Sequence, residues 1–301
     1  MNHSTFKSFT FGIGLFFTLP LVYGNSSSPS SSDGTLYINK SKTHKVAPVK
    51  YGFHYEEIGM MGEGALHAEL IRNRSFEEAT PPAGLSVKDG LYENVPAPRV
   101  KEKKVFQADP LIGWTTYPLS YTPVFISRTD ENPMSGENKY SMLVNVTEDI
   151  ANHSDALILN RGYYGMNLKT DTSYRLSLFL KNRNYSAPLR VFLVDEWGQR
   201  VSNVIEVNVG NRDWTKYTGE LKPEKNVRRG MFAIQPMSKG QFQMDVVSLF
   251  PSDTWNDGKS VFRKDIVQNL KEFSPSFIRF PGGCICLLYT SPSPRDTERS
   301  R

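Results

Sequence analysis

The chain has 301 residues, of which 39% are apolar, 22% are charged and 12% are aromatic. This composition excludes a disordered or collagen-like chain and supplies enough apolar residues for one or two buried cores. The net charge of +5 is small and its basic residues are scattered, so nothing favours nucleic acid as a partner. Two cysteines are too few for a disulfide framework. Neither a zinc-ligand spacing nor a phosphate-binding glycine loop occurs in the sequence, so we expect no metal and no cofactor.

Residues 1–24 predict a secretory signal peptide. Lys7 precedes an apolar run of 15 residues from Phe9 to Tyr23, and Gly24 ends a compact cleavage motif. The alternative is a membrane anchor, but the run is shorter than the ~20 residues that a spanning helix needs. We therefore expect a secreted protein with no membrane contact after cleavage. After the predicted cleavage site, six asparagines stand in N-x-[ST] sequons and are candidates for N-glycosylation: Asn25, Asn39, Asn73, Asn145, Asn152 and Asn184.

The first third of the chain mixes linker, strand and helix patterns. Residues 25–48 are predicted to be a Ser-rich linker with a short strand at 35–38. Lys50–Gly59 is typical of a strand that runs into a loop. Gly64–Phe76 has apolar residues at helical spacing, which predicts a helix. The Pro- and Gly-rich stretch from Ala79 to Pro98 is predicted to be an irregular connection that completes the segment 49–98.

Short alternating strands dominate residues 99–252. Runs such as YRLSLFLKN and LRVFLVDE are rich in branched and aromatic residues and are bounded by Gly, Asn, Asp or Pro. In the first of these, Tyr174, Leu176, Leu178 and Leu180 fall on one face of a strand. This spacing predicts an all-β domain, an antiparallel β-sandwich.

The pattern reverts to α/β in residues 253–284. Val261–Phe273 has apolar residues at helical spacing, and Ser276–Phe280 is a short strand that ends in a glycine loop. Strand and helix segments thus flank the sandwich on both sides, which predicts that the sandwich is an inserted domain. The Ser-, Pro- and Arg-rich tail 285–301 fits neither pattern, and we expect that it is not native to the fold.

Two segments carry polar groups at predicted strand ends, namely Glu56-Glu57 and Arg279 to Cys284. In a βα barrel, such ends meet on one open face, where a carboxylate can accept hydrogen bonds from sugar hydroxyls. An arginine there can keep a second carboxylate ionised. From the residues alone, a solvated strand end and a structural ion pair are the alternatives.

Four long blocks of sequence, in order, resemble the α-L-arabinofuranosidases of glycoside hydrolase family 51. They are YGFHYEEIGMMGEGALHAELIRNRSFE, RGYYGMNLKTDTSYRLSLFLKN, GQFQMDVVSLFPSDTW and VFRKDIVQNLKEFSPSFIRFPGGC, and the match extends from about residue 49 to residue 284. The resemblance implies the start of a TIM (β/α)8 barrel that is interrupted by a carbohydrate-binding-like β-sandwich (a jelly roll). It implies removal of terminal arabinofuranose from arabinan or arabinoxylan, so that the expected partner is an arabinose-containing plant cell-wall polysaccharide.

The resemblance also implies substrate-binding roles for Glu56, Arg279 and Cys284. The catalytic acid/base and nucleophile of the family lie on later strands, so we expect no catalytic residue and no hydrolysis in this chain itself. Exposed aromatic residues of the sandwich are candidates for stacking on sugars, above all Tyr163 and Tyr164 in a Gly-flanked turn, whereas Trp114 and Trp214 are expected in the core. A carbohydrate-binding module and a non-catalytic secreted scaffold remain as alternatives to the hydrolase.

Overall fold

Alternating apolar and polar residues build two β-sheets that face each other across one core. In the computed structural model, the described residues are 51–56, 60–78, 86–88, 91–93, 105–107, 109–118, 121–149 and 155–279. The predicted signal peptide, the linker strand at 35–38 and the tail 285–301 lie outside the described residues. None of the helices in the described ranges is long and apolar enough to cross a membrane.

The described part of the sandwich, from Trp114 to Pro251, contains eleven strands. In chain order they are β5 (Trp114–Tyr117), β6 (Val124–Thr129), β7 (Ser141–Val146), β8 (Leu157–Asn160), β9 (Met166–Leu168), β10 (Tyr174–Asn182), β11 (Pro188–Val194), β12 (Ile205–Asn208), β13 (Thr215–Leu221), β14 (Val227–Gln235) and β15 (Gly240–Pro251). One sheet has the order β13-β10-β15-β7-β6, and the other has the order β12-β11-β14-β8-β5, with β9 paired to β14. The chain passes repeatedly between the two sheets, as in a jelly roll.

The core lies between the two sheets. Tyr174, Leu176, Leu178 and Leu180 all point into it from β10, as their period-two spacing predicts, and Phe232 is among the residues that meet them from β14. Each of these buried side chains contributes roughly 1.5–3 kcal/mol to folding relative to an exposed one. The prediction of an antiparallel β-sandwich is therefore confirmed.

The prediction of a helix over Gly64–Phe76 is wrong. Only a single wide turn, Gly62–Leu66, is wound there, and Gly64 interrupts its helical geometry with φ +81°. Downstream of the turn, residues 67–78 form bends and turns without a regular helix, and Ile71 and Phe76 are buried in the core. Tertiary burial of these two side chains outweighs the helical spacing of the segment.

The connection 79–98 is not wholly irregular, because it contributes two strands to a small separate sheet. In this antiparallel sheet β2 (Ser86–Lys88) pairs with β3 (Leu91–Glu93), which also pairs with β4 (Val105–Gln107).

A parallel pair of strands joins the two ends of the described chain. β1 (Phe53–His54) and β16 (Ile278–Arg279) are hydrogen-bonded neighbours although the whole sandwich separates them in sequence. The predicted helix before β16 is present as α1 (Lys264–Glu272), and none of its residues is buried. Two strands and one helix do not make a barrel, so the described residues do not show the expected start of a TIM barrel.

Candidate functional site

The register of the parallel pair brings Glu56 and Arg279 to the same end of the two strands. His54 is the direct partner of Arg279, and the backbone N–H of Tyr55 donates a hydrogen bond to the carbonyl oxygen of Arg279 at 3.0 Å. Paired residues in a sheet share a face, and residues two apart on one strand share it too. The side chains of His54 and Arg279 are therefore placed on one face, and Glu56 follows two residues after the end of β1.

The exposure of this end leaves both side chains accessible to a ligand. Glu56 is half-buried, and Arg279 is exposed. Two further residues from the sequence analysis, Glu57 and Cys284, lie outside the described residues, so the structure places neither of them relative to this pair. The arrangement offers one carboxylate acceptor and one guanidinium donor at the end of adjacent parallel strands. The carboxylate can bind hydroxyl groups, and the guanidinium can bind hydroxyl or carboxylate groups.

A second feature is the cleft between the sandwich and α1. Its volume is about 660 Å³, and its walls come from the turn around Gly64, the loop after β8, the end of β15 and the first turn of α1. Main-chain hydrogen bonds hold these walls together: Ala68 N–H donates to Val261 O at 2.8 Å and Arg263 N–H donates to Leu66 O at 2.9 Å. We refer to this space as the α1 cleft.

The two tyrosines that were expected to stack on sugars differ in their surroundings. Tyr164 lines the α1 cleft and is 78% exposed. The ring of Tyr163 lies directly against Gly64, and its hydroxyl donates a hydrogen bond of 3.3 Å to Glu63. The guanidinium of Arg72 is 5.9 Å from the centre of the same ring. Tyr164 therefore offers much more free ring surface than Tyr163 does.

The remaining aromatic candidates divide between core and surface. Trp114 is buried as expected, and its indole N–H donates to Asn73 O at 3.1 Å. Trp214, which was expected in the core, is only half-buried and donates its indole N–H to Asn132 O at 3.1 Å. Trp197 is 70% exposed on a turn, beside a glycine that approaches the ring of Tyr117.

The sequons also differ in accessibility. Asn73 is buried and its Nδ2 donates a hydrogen bond to Pro110 O at 3.1 Å, so a glycan on that nitrogen is incompatible with this fold. Asn184 is exposed, and Asn145 is half-buried within β7. Asn25, Asn39 and Asn152 lie outside the described residues.

Two buried acids were not anticipated from the sequence. Glu69 accepts hydrogen bonds from the N–H groups of Ile71 and Leu249 and from the Ser248 hydroxyl, and burial raises its pKa despite these bonds. Burial also raises the pKa of Asp245 to about 7. Glu69 falls inside the first of the four sequence blocks given above, but two of its three partners are about 180 residues away along the chain, so no local pattern signalled its role.

Comparison with known proteins confirms the resemblance to α-L-arabinofuranosidases. α-L-Arabinofuranosidase 1 of Arabidopsis thaliana is 26% identical over 239 residues, which cover 78% of this chain and 31% of that protein. The extracellular exo-α-L-arabinofuranosidase of Streptomyces chartreusis is 25% identical over 78% of this chain and 24% of its own length. A scan against models of protein families gives no match.

Among solved structures, the arabinose-bound MgGH51 α-L-arabinofuranosidase has a similar fold. It aligns with a TM-score of 0.62 and 24% identity over 81% of this chain and 36% of that one. The chain is thus similar to glycosidases of this family along most of its length. It spans about a quarter to a third of the length of the curated relatives given above.

Proposed function

We propose that this chain is part of a secreted α-L-arabinofuranosidase, in which Glu56 and Arg279 belong to the substrate site. The observation that carries the proposal is the parallel pairing of β1 with β16. It brings to one strand end the two residues that the family resemblance associates with the sugar, although more than 200 positions separate them in the sequence.

Each residue has a distinct chemical task in this proposal. The Glu56 carboxylate accepts hydrogen bonds from the hydroxyl groups of a terminal, non-reducing arabinofuranose unit. The Arg279 guanidinium lies beside the nucleophilic carboxylate and favours its ionised form, since a nearby positive charge lowers the pKa of a carboxyl group. Cys284 completes the sugar contacts in the same resemblance.

The reaction in this proposal is hydrolysis with retention of configuration. Retaining glycosidases place two carboxyl groups about 5 Å apart, one as acid/base and one as nucleophile. By the resemblance, both belong to strands that follow those present in this sequence, and arabinan or arabinoxylan is the substrate. The 301-residue chain is therefore expected to bind but not to hydrolyse.

The test compares variants of the complete enzyme that carries this segment. Glu56→Gln keeps the shape of the side chain but removes its charge, and we expect kcat/KM on 4-nitrophenyl α-L-arabinofuranoside to fall at least about tenfold. Glu196→Gln, at an exposed glutamate in a turn of the sandwich, is the matched control and should leave the rate unchanged.

Two results would contradict the proposal. One is an unchanged kcat/KM in Glu56→Gln. The other is a complete enzyme that releases no arabinose from the aryl substrate. Arabinose release by the 301-residue chain alone would contradict the assignment of the catalytic pair to later strands.

A further inference from the structure

The α1 cleft has the size and shape of a small-molecule site. Its volume of about 660 Å³ falls within the range of roughly 300–1,000 Å³ that is usual for ligand pockets. Neither Glu56 nor Arg279 is among the residues that line it. The cleft is therefore a set of side chains that the proposed hydrolase function does not use.

A buried hydroxyl group in the cleft wall has no hydrogen-bond partner. Thr254 lines the cleft and is 1% exposed, and its Oγ1 has no partner in the described part of the chain. The backbone of Thr254 is held firmly, because its carbonyl oxygen accepts a hydrogen bond from Gly258 N–H at 3.1 Å. Buried polar groups are nearly always hydrogen-bonded in folded proteins, so a hydroxyl left without a partner at a cleft wall points to a ligand.

The charges that line the cleft balance one another. Three cationic and three anionic side chains contribute to the lining: Lys169, Arg263, Lys264, Glu69, Asp253 and Asp265. Burial lowers the pKa of His67, another lining residue, and so favours its neutral form, which has one donor and one acceptor nitrogen. A lining with no net charge and with both donors and acceptors suits a neutral polar ligand better than a phosphate or a metal ion.

An exposed aromatic ring stands at the edge of the cleft on a closely packed backbone turn. Tyr164 is 78% exposed and lies between two glycines with positive φ, Gly162 at +62° and Gly165 at +90°. The turn is closed by a hydrogen bond of 3.0 Å from Gly165 N–H to Arg161 O. A Cβ on Gly165 would be 3.1 Å from the Cα of Arg229, so the backbone is packed closely at this point. The apolar face of a sugar ring packs well on such a platform.

We propose that the α1 cleft binds a neutral oligosaccharide, with one sugar ring against Tyr164 and one sugar hydroxyl hydrogen-bonded to Thr254 Oγ1. This site is separate in its residues from Glu56 and Arg279, and its occupation requires no hydrolysis. It gives the junction of the sandwich and α1 a role in holding a polysaccharide chain.

The experiment measures binding of α-1,5-linked arabinopentaose to the 301-residue chain by isothermal titration calorimetry. Tyr164→Ala should weaken binding roughly three- to tenfold through loss of the stacking surface. Thr254→Val should weaken it by a similar factor of about two to ten through loss of one hydrogen bond. Phe125→Ala, at an exposed aromatic residue of β6 that does not line the cleft, is the matched control and should leave the affinity unchanged.

Thermal unfolding separates a binding role of Thr254 from a structural one. Because its hydroxyl has no partner in the described residues, Thr254→Val should keep or raise the melting temperature of the free chain while it weakens binding. A melting temperature that falls together with affinity would assign the hydroxyl a structural role and overturn its part in the proposal. Tyr164→Ala is at an exposed position and should unfold like the parent chain.

Three outcomes would overturn the proposal as a whole. They are no detectable binding of arabinopentaose, binding that Tyr164→Ala and Thr254→Val leave unchanged, and tighter binding of the anionic trigalacturonate than of arabinopentaose. None of them depends on catalysis. The proposed hydrolase function is measured separately on an aryl arabinofuranoside, so either proposal can fail while the other holds.

Discussion

Glu69 Oε1 accepts a hydrogen bond of 2.8 Å from the backbone N–H of Leu249, which connects the segment before the sandwich to its last strand. The same oxygen accepts from Ile71 N–H at 3.0 Å, and Oε2 accepts from the Ser248 hydroxyl at 2.6 Å. One buried carboxylate thus satisfies three donors from two distant parts of the chain. Both Glu69 and Pro251, the last residue of β15, line the α1 cleft, so this contact also holds one wall of the cleft in place.

Removal of this carboxylate should destabilise the chain strongly. Glu69→Ala leaves three donors without their acceptor, two of them on buried residues of β15, and we expect a loss of about 3–5 kcal/mol in the free energy of unfolding. Urea denaturation followed by tryptophan fluorescence measures it. Glu137→Ala, at an exposed loop position, is the control and should change stability by less than about 0.5 kcal/mol. Equal stability of the two variants would show that Glu69 does not connect the segment to the sandwich.

Burial of Ile71 is the second test of this connection. Ile71 is 0% exposed in the sandwich core, so Ile71→Ala should cost about 2–5 kcal/mol through lost burial and the cavity left behind. Met61, earlier in the same stretch, is 58% exposed, and Met61→Ala should be nearly neutral. Both substitutions are compared by the same urea titration, and a loss in Ile71→Ala as small as that in Met61→Ala would refute the burial of this segment in the sandwich core.

The regular elements of this protein could be predicted from local patterns. The strand that contains Tyr174 and Leu180 alternates cleanly because one of its faces meets the core, and the helix before Ile278 follows from apolar residues at helical spacing. The convergence of Glu56 and Arg279 on one strand end also followed from sequence, because parallel strands of an α/β unit end on the same side.

Features that depend on contacts between distant segments could not be predicted. Leu66, Leu70 and Ile71 have helical spacing, yet Ile71 is needed in a core whose other members, apart from Phe76, lie more than 40 residues downstream. The partners of Glu69 on β15 leave no local trace in the sequence around it. The lack of a hydrogen-bond partner for Thr254 Oγ1 among the described residues is likewise apparent only from the three-dimensional arrangement of the cleft wall.

Glycine is required at position 64 because of the backbone conformation there and because of the nearby ring of Tyr163. Its φ is +81°, which side chains other than glycine adopt rarely, and an added Cβ would lie 2.4 Å from the ring of Tyr163. We expect Gly64→Ala to destabilise the chain by about 1–3 kcal/mol and to shift Tyr163 in the wall of the α1 cleft. Differential scanning calorimetry measures the first effect.

Gly136→Ala provides the matched control for this substitution. An added Cβ at Gly136 has nothing within 4 Å, so the variant should be as stable as the parent chain. If Gly64→Ala and Gly136→Ala melt at the same temperature, the close packing of the Gly62–Leu66 turn against Tyr163 is refuted.

Asp245 should make the stability of the chain depend on pH. It is 0% exposed, its Oδ2 has no hydrogen-bond partner in the described ranges, and its Oδ1 accepts from Val246 N–H at 2.7 Å. Burial, with a smaller contribution from the repulsion of Glu77, raises its pKa from 3.8 to about 7, against the opposing effects of the Val246 hydrogen bond and Arg74. The folded chain therefore binds this proton more tightly than the unfolded chain does.

The direction of the pH effect follows from that difference. The tighter binding of this proton stabilises the folded chain. Its contribution to the free energy of unfolding is fully present below pH 3.8 and is lost as the pH rises through about 7, because the buried carboxyl of Asp245 must then ionise. A difference between 3.8 and about 7 corresponds to at most about 4 kcal/mol. Asp245→Asn mimics the protonated form, so its free energy of unfolding should match the parent near pH 4 and exceed it near pH 8. Urea titrations at both pH values measure the difference, and the exposed Asp213→Asn should show none of it. If the free energy of unfolding of the parent chain rose relative to that of Asp245→Asn between pH 4 and pH 8, the pKa of Asp245 would not be raised by folding.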